Sequence, residues 1–325
     1  MVIVNDYGYE LYYDHWAANS LDSYLFWGSE PSITWVKSLP LQDESGWLDT
    51  VWCEGGAVID SKKKCLVFFG GEDILYGIPM RRMYLKLMSH NWPGWEIRWA
   101  NRGILDLADY VGHKILPGKD SFDPPGKNEH KKICKHDDKY SVGLVSVSQN
   151  GNIGAIGAPT NEYDKFLAIG DEVFKFLLPN VFKKRKAPLT IKEFPMTGVH
   201  FDIDAKKIFV WTSDTVNDPN LPYQDKWPGW EFVFLGDTYE AQTDLLRGKV
   251  SFPDITTENL LSQIKSIVCR NENDPLDTVA LMEQRFKETG KSFEVNPAVY
   301  MTAGFKMPVE QKKKRFAEIV NIAKL

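Results

Sequence analysis

The sequence predicts an α+β fold: antiparallel hairpins in one or two sheets, helices covering them, and a helical block at the end. Three observations carry that expectation. Trp92-Pro93-Gly94-Trp95-Glu96 recurs as Trp227-Pro228-Gly229-Trp230-Glu231, and an apolar run follows each copy. Short apolar runs joined by turn residues fill the chain up to about residue 250, the pattern of hairpins. From Thr256 onward the apolar spacing becomes that of amphipathic helices.

The repeat implies an internal duplication. Val58-Ile59-Asp60-Ser61-Lys62-Lys63 precedes the first copy and Asp202-Ile203-Asp204-Ala205-Lys206-Lys207 the second, which sets Asp60 against Asp204. Repeat units at about 55–112 and 198–246 are expected within one domain, 1–250, related by a pseudo-twofold. Residues 251–325 then form a helical extension. Proline presets the first turn position and glycine accepts the positive φ of the second, so each Trp-Pro-Gly-Trp reads as a type II turn. The stretch from hairpin to turn is shorter in the second copy, where a proline-containing loop at 217–222 replaces a helix.

In chain order, residues 7–16 read as an aromatic strand ending near Asp14-His15, and 21–28 as a short helix or strand. Ser29-Glu30-Pro31 breaks the chain before a short strand at 33–36. Residues 57–60 and 65–69 form a hairpin, and Met80, Met83, Tyr84, Leu87 and Met88 mark one helix face. A strand at 95–100 and a helix at 104–111, stopped by Gly112, complete the unit. Residues 117–139 read as a linker. Asn150-Gly151 between apolar runs signals a second hairpin, covered by a helix over 166–177, and 199–203 with 208–211 a third. Three helices follow: one on Leu260, Leu261, Ile264, Ile267 and Val268, one after Asp274-Pro275, and one opened by Pro308.

Composition excludes several functions. A net charge of -5 gives no general attraction to nucleic acid or anionic membrane, and the basic run Lys183-Lys184-Arg185-Lys186 reads as a solvated connection. No apolar stretch approaches a membrane span, no signal peptide opens the chain, and the four cysteines are scattered, so a cytoplasmic protein with reduced thiols is expected. No phosphate loop, nucleophile elbow, zincin motif or dinucleotide fingerprint is present. Hairpins under helices suggest N-terminal-nucleophile hydrolases in outline, but position 2 is Val. His130, Cys134 and His136 have ligand types without a zinc-site spacing, and neither cofactor nor metal is expected.

Two readings of different class follow. The first is a non-catalytic binding protein of immunity or regulatory type. It acts on a protein partner through an aromatic-rich surface including Trp92, Trp95, Trp227 and Trp230, as the 11 Trp of the chain suggest. The second is a hydrolase-like enzyme on a small molecule, with His15 as acid or base and Asp14, Asp73 (or Glu72) and Asp214 as carboxylates. Asp73 and Asp214 follow their hairpins at similar distances, so a duplicated fold could bring two acids toward one axis. Adjacent strand residues face opposite ways, which sets Asp14 away from His15. Residues 7–246, through the Trp-Pro-Gly-Trp pair and Tyr12-Tyr13-Asp14-His15-Trp16, resemble uncharacterised bacterial cytosolic proteins; that resemblance implies no activity.

Overall fold

The structure is a computed structural model, described for residues 1–115, 125–136, 141–160, 162–184, 187–216, 223–270, 275–292, 294–295 and 307–325. It is α+β, with helices and two mixed sheets. The chain divides into two compact units rather than one domain over 1–250: Met1–Ile74, Pro79–Gly118 and Thr256–Leu325 form the first, Leu75–Ile78 and Lys119–Ile255 the second.

In the first unit β1 (Val2–Asn5) and β2 (Gly8–Tyr12) form a hairpin, α1 (Leu21–Leu25) and α2 (Ser29–Ser38) follow, and β3 (Leu41–Gln42) pairs with β2. A second hairpin, β4 (Gly56–Asp60) and β5 (Cys65–Phe69), leads through α3 (Glu72–Tyr76) and α4 (Ile78–Met88) to β6 (Glu96–Trp99) and α5 (Ile104–Val111). The strand order is β3-β2-β1-β4-β5-β6. Both hairpins are antiparallel, the second as expected and the first unforeseen, but β1 pairs with β4, and β5 with β6, in parallel. Parallel neighbours need a crossover, and the helices between the hairpins supply it.

Two expectations here are corrected. The aromatic strand stops at Tyr12, and Asp14 accepts the Trp16 N–H at 2.9 Å to turn the chain. Residues 33–36 are helical, not a strand. Pro31 does not break α2 because it lies in its first turn, where the missing N–H has no intrahelical partner to lose. Ser32 ties that turn back by donating to the Gly28 carbonyl at 2.7 Å.

The second unit repeats the order of pairings. It opens with α6 (Lys127–Ile133), a helix inside the stretch expected to be linker, and the hairpin β7 (Gly143–Gln149) with β8 (Asn152–Ala158). Asn150 and Gly151 take φ of 50° and 71°, the paired positive angles of the turn their sequence signals. Two helices, α7 (Asp164–Ile169) and α8 (Phe174–Val181), replace the single one expected, because Gly170 ends the first with φ 73°. After β9 (Leu189–Thr190) comes the hairpin β10 (Thr197–Asp202) with β11 (Lys207–Thr212), then β12 (Glu231–Phe234), α9 (Glu240–Leu246) and β13 (Val250–Ser251). The sheet order is β12-β11-β10-β7-β8, with β7 parallel to β10 and β11 parallel to β12. The proline-containing loop at 217–222 lies outside the described residues.

Corresponding edge positions thus go to β6 and β12, and the similarity reaches back to the first hairpin of each unit, beyond the repeat bounds expected. Cys65 pairs with Glu96 as Lys207 does with Glu231, and Asp60 faces Cys65 as Asp202 faces Lys207. Asp60 therefore corresponds to Asp202, not Asp204. An offset of two residues keeps every side chain on the same sheet face, so the alternation in the sequence does not reveal it.

The two Trp-Pro-Gly-Trp turns match in detail. Gly94 and Gly229 have φ of 75° and 76°, and Trp95 and Trp230 donate back to the carbonyls of Trp92 and Trp227, each at 3.1 Å. Trp92 Nε1 donates to the Leu25 carbonyl at 2.8 Å and Trp227 Nε1 to the Leu167 carbonyl at 2.9 Å. The preceding side chains do likewise, Asn91 to the Phe26 carbonyl and Lys226 to that of Ala168. Each turn pins the end of an earlier helix.

The helical C-terminal block is α10 (Thr257–Val268), α11 (Pro275–Glu288) and α12 (Val309–Ile322). Thr256 caps α10 by accepting the Asn259 N–H at 3.2 Å. The expected N-cap Asp274 lies outside the described residues. This block is not a separate extension. Ile264, Ile267, Val268, Phe316 and Ile319 share one buried cluster with Leu25, Phe26 and Trp92 of the first unit. Arg315 donates to Asn91 Oδ1 at 2.9 Å, next to the first turn.

Candidate functional site

Two of the four tryptophans expected at a binding surface, Trp92 and Trp227, are buried in the fold. Each is 1% exposed, which corrects that expectation. Trp95 and Trp230 are half-buried and meet them edge-on at 4.9 and 5.1 Å between ring centroids. A ring that large, with its N–H satisfied, belongs inside.

Tyr7 is fully exposed in the β1–β2 turn, and two exposed tryptophans and a leucine lie at the other end of those strands. Trp52 is 75% exposed, Trp16 68% and Leu41 65%. The loops bearing them converge: Tyr13 N–H donates to the Pro40 carbonyl at 3.0 Å, and Gly55 and Ala18 pack so closely that a Cβ on Gly55 would sit 3.2 Å from Ala18 Cβ. His15 stands edge-on to Trp16 at 4.9 Å, and its Nδ1 meets the Tyr13 hydroxyl at 3.3 Å. On the same loops Asp14, Asp43, Glu44 and Glu54 are exposed. From Met1 to Ser61 the only Lys or Arg is Lys37, against ten carboxylates. That bias was readable in the sequence and is masked by the modest net charge of the whole chain.

The carboxylates expected around His15 are placed as follows. Asp14 turns to its own backbone through the Trp16 N–H. Asp73 lies on α3, and its side chain, like that of Glu72, is outside those described. Asp214 is exposed after β11, in the second unit, and accepts the Thr215 N–H at 2.7 Å. No carboxylate is hydrogen-bonded to His15 among the described residues. His130, Cys134 and His136 also serve structure: His130 Nε2 meets the Pro125 carbonyl at 2.8 Å, and His136 Nδ1 accepts the Gly157 N–H at 3.2 Å. Cys134 is fully buried, which pushes its thiol up to about 12. No group of three metal-ligating residues occurs among the described residues.

The sequence reading missed a buried polar network in the second unit. His200 Nδ1 lies 2.8 Å from Ser146 Oγ and Nε2 3.3 Å from Ser148 Oγ. Gln242 on α9 donates to Ser146 at 2.7 Å and accepts the Trp211 indole N–H at 2.6 Å. Ser146 accepts from Gln242 and keeps its own hydroxyl proton, so one arrangement that satisfies a neutral imidazole has Ser146 donating to Nδ1 and Nε2–H donating to Ser148. Burial lowers the His200 pKa to about 4, with Asp202 opposing only in part. A serine on a neutral histidine has the form of a nucleophile and base. Here Ser146 is 0% and His200 2% exposed, and the third group is a hydroxyl. No substrate reaches it.

Register explains the network as a substitution within a shared frame. Val2, Val58 and Phe69 of the first unit hold the places of Ser146, His200 and Trp211. A Cβ on Gly56 would meet Leu107 Cδ1 at 2.8 Å, and one on Gly198 would overlap Trp211 Nε1 and Gln242 Oε1. Gly198→Ala is therefore expected to cost about 1–3 kcal/mol and to loosen the network, since the indole and amide cannot both retreat. Urea unfolding measures the loss, and an unchanged midpoint refutes it.

No helix among the described residues is long and apolar enough to cross a membrane. No protein-family model, curated protein or solved structure matches the chain.

Proposed function

We propose that this chain is a non-catalytic binding protein of immunity or regulatory type, acting in the cytoplasm on a cationic protein partner. The observation that carries the reading is the exposure of Trp16, Trp52 and Leu41 on loops rich in carboxylates, with Lys37 the only Lys or Arg before Lys62. Large rigid rings are the usual anchors of protein interfaces. Their faces attract ammonium and guanidinium groups, and the surrounding carboxylates steer such groups in and reject anionic competitors. Four free cysteines, three of them buried, suit a reducing compartment. The alternative hydrolase reading finds no acid hydrogen-bonded to His15 among the described residues.

The experiment is capture from a lysate of the native host on the immobilised chain, beside a Trp16→Ala/Trp52→Ala variant, followed by mass spectrometry. The wild type is expected to retain a basic protein whose recovery falls tenfold or more with the variant, by about the size of two interface anchors. Because both side chains are exposed, the variant should keep the wild-type melting temperature. Equal recovery on both columns, or an acidic protein retained, defeats the proposal.

A further inference from the structure

The second unit contains a cleft whose charge runs opposite to that of the chain. It has a volume of about 690 Å³ and lies between the β7–β8 hairpin end, the residues after α8 and the loop after α9. Four cations, Lys183, Lys184, Arg247 and Lys249, line it; among the described lining residues there is no Asp or Glu, though Asp204 accepts the N–H of the lining residue Asn150 at 2.7 Å. Lys249 Nζ donates to the Ile153 carbonyl at 2.7 Å, and no carboxylate pairs with it among the described residues. No carboxylate pairs with the other three among the described residues. In a chain of net charge -5, where carboxylates outnumber cations, four cations against the nearby carboxylate of Asp204 make this cleft locally positive.

We propose that this cleft binds a small organic molecule bearing phosphate. The cations and the Asn152 side chain supply donors for phosphate oxygens, with Arg247 able to grip two at once. Phe182 supplies apolar wall for an organic body, and the volume falls within the range of small-molecule sites. A nucleic acid fits the observations less well, because the cations surround a concavity rather than run along a face, and the chain as a whole repels a polyanion.

A simpler purpose must be separated from this one. Lys183, Lys184 and Arg247 follow the C-terminal ends of α8 and α9, where cations complement the helix dipole. The test is calorimetric titration of the full chain with ADP, with pyrophosphate and with a single-stranded oligonucleotide, on wild type and on Lys184→Gln/Arg247→Gln. Thermal unfolding of both proteins runs alongside. Expected are one ADP site per chain, tighter than pyrophosphate, and at least tenfold weaker binding by the variant with little change in melting temperature. No ADP binding at millimolar concentration overturns the proposal, as does binding that the variant leaves unchanged. A variant that loses stability while ADP has no effect assigns the cations to the helix ends instead. Pyrophosphate binding as tightly as ADP rules out the organic body, and preference for the oligonucleotide rules out a small ligand.

Discussion

Trp227→Ala is expected to destabilise the protein by about 3–5 kcal/mol, the range for emptying a large buried aromatic site. The ring is 1% exposed, stacks on Phe201 at 5.4 Å, meets Phe174 edge-on at 5.8 Å, and donates to Leu167 at 2.9 Å. Trp92→Ala should lose a similar amount in the first unit, where the indole holds Leu25 in the same way. Trp227→Phe separates the two contributions: it keeps most of the apolar area and gives up the hydrogen bond, worth about 0.5–1.5 kcal/mol. Urea midpoints read by circular dichroism decide the matter. A loss under about 1 kcal/mol for Trp227→Ala means the turn can be emptied without consequence.

The second large effect is on pH dependence. His200 is neutral when folded, with its pKa at about 4 against an ordinary 6.5. As pH falls below 6.5 the unfolded chain takes up a proton that the folded chain refuses, so stability present at pH 7 is lost between about 6.5 and 4. The full loss is about 3 kcal/mol, with about 2 kcal/mol of it gone by pH 5. His200→Gln should unfold more easily at pH 7 yet lose less between pH 7 and 5 than the wild type. If the wild-type midpoint is the same at both values, His200 accepts its proton inside the fold and the network is looser than its distances imply.

Much of this architecture was legible in the sequence, and what was not has definite causes. The hairpins at 56–69, 143–158 and 197–212 announce themselves through apolar runs and turn residues, and the repeated turn gave its own type through proline and glycine. Helix α2 was hidden because Ile33-Thr34-Trp35-Val36 favours strand, while packing of Trp35 and Val36 into the first core decides for helix. The parallel pairings between hairpins leave no local mark, since they depend on which hairpins meet. The Trp-Pro-Gly-Trp rings drew attention as a surface by their rarity, and burial reassigns the first ring of each pair, Trp92 and Trp227. The acidic aromatic loops were visible only to a charge count by segment. His200, Ser146 and Ser148 stood in plain alternation on their strands, but nothing in sequence spacing announces that Gln242 closes over them.

The division of the chain has a consequence for its synthesis. Residues 1–118 emerge from the ribosome first, yet the core they belong to includes Ile264 and Phe316, which emerge last. At about 5–20 residues per second, the nascent first unit waits on the order of 10–40 s with Leu25, Phe26 and Trp92 uncovered by those helices. The second unit, continuous from Lys119 to Ile255 apart from a four-residue segment already made, can complete itself in the interval. Truncation before α12 should therefore leave the second unit folded and the first dependent on chaperones, the reverse of the order in which the two are translated.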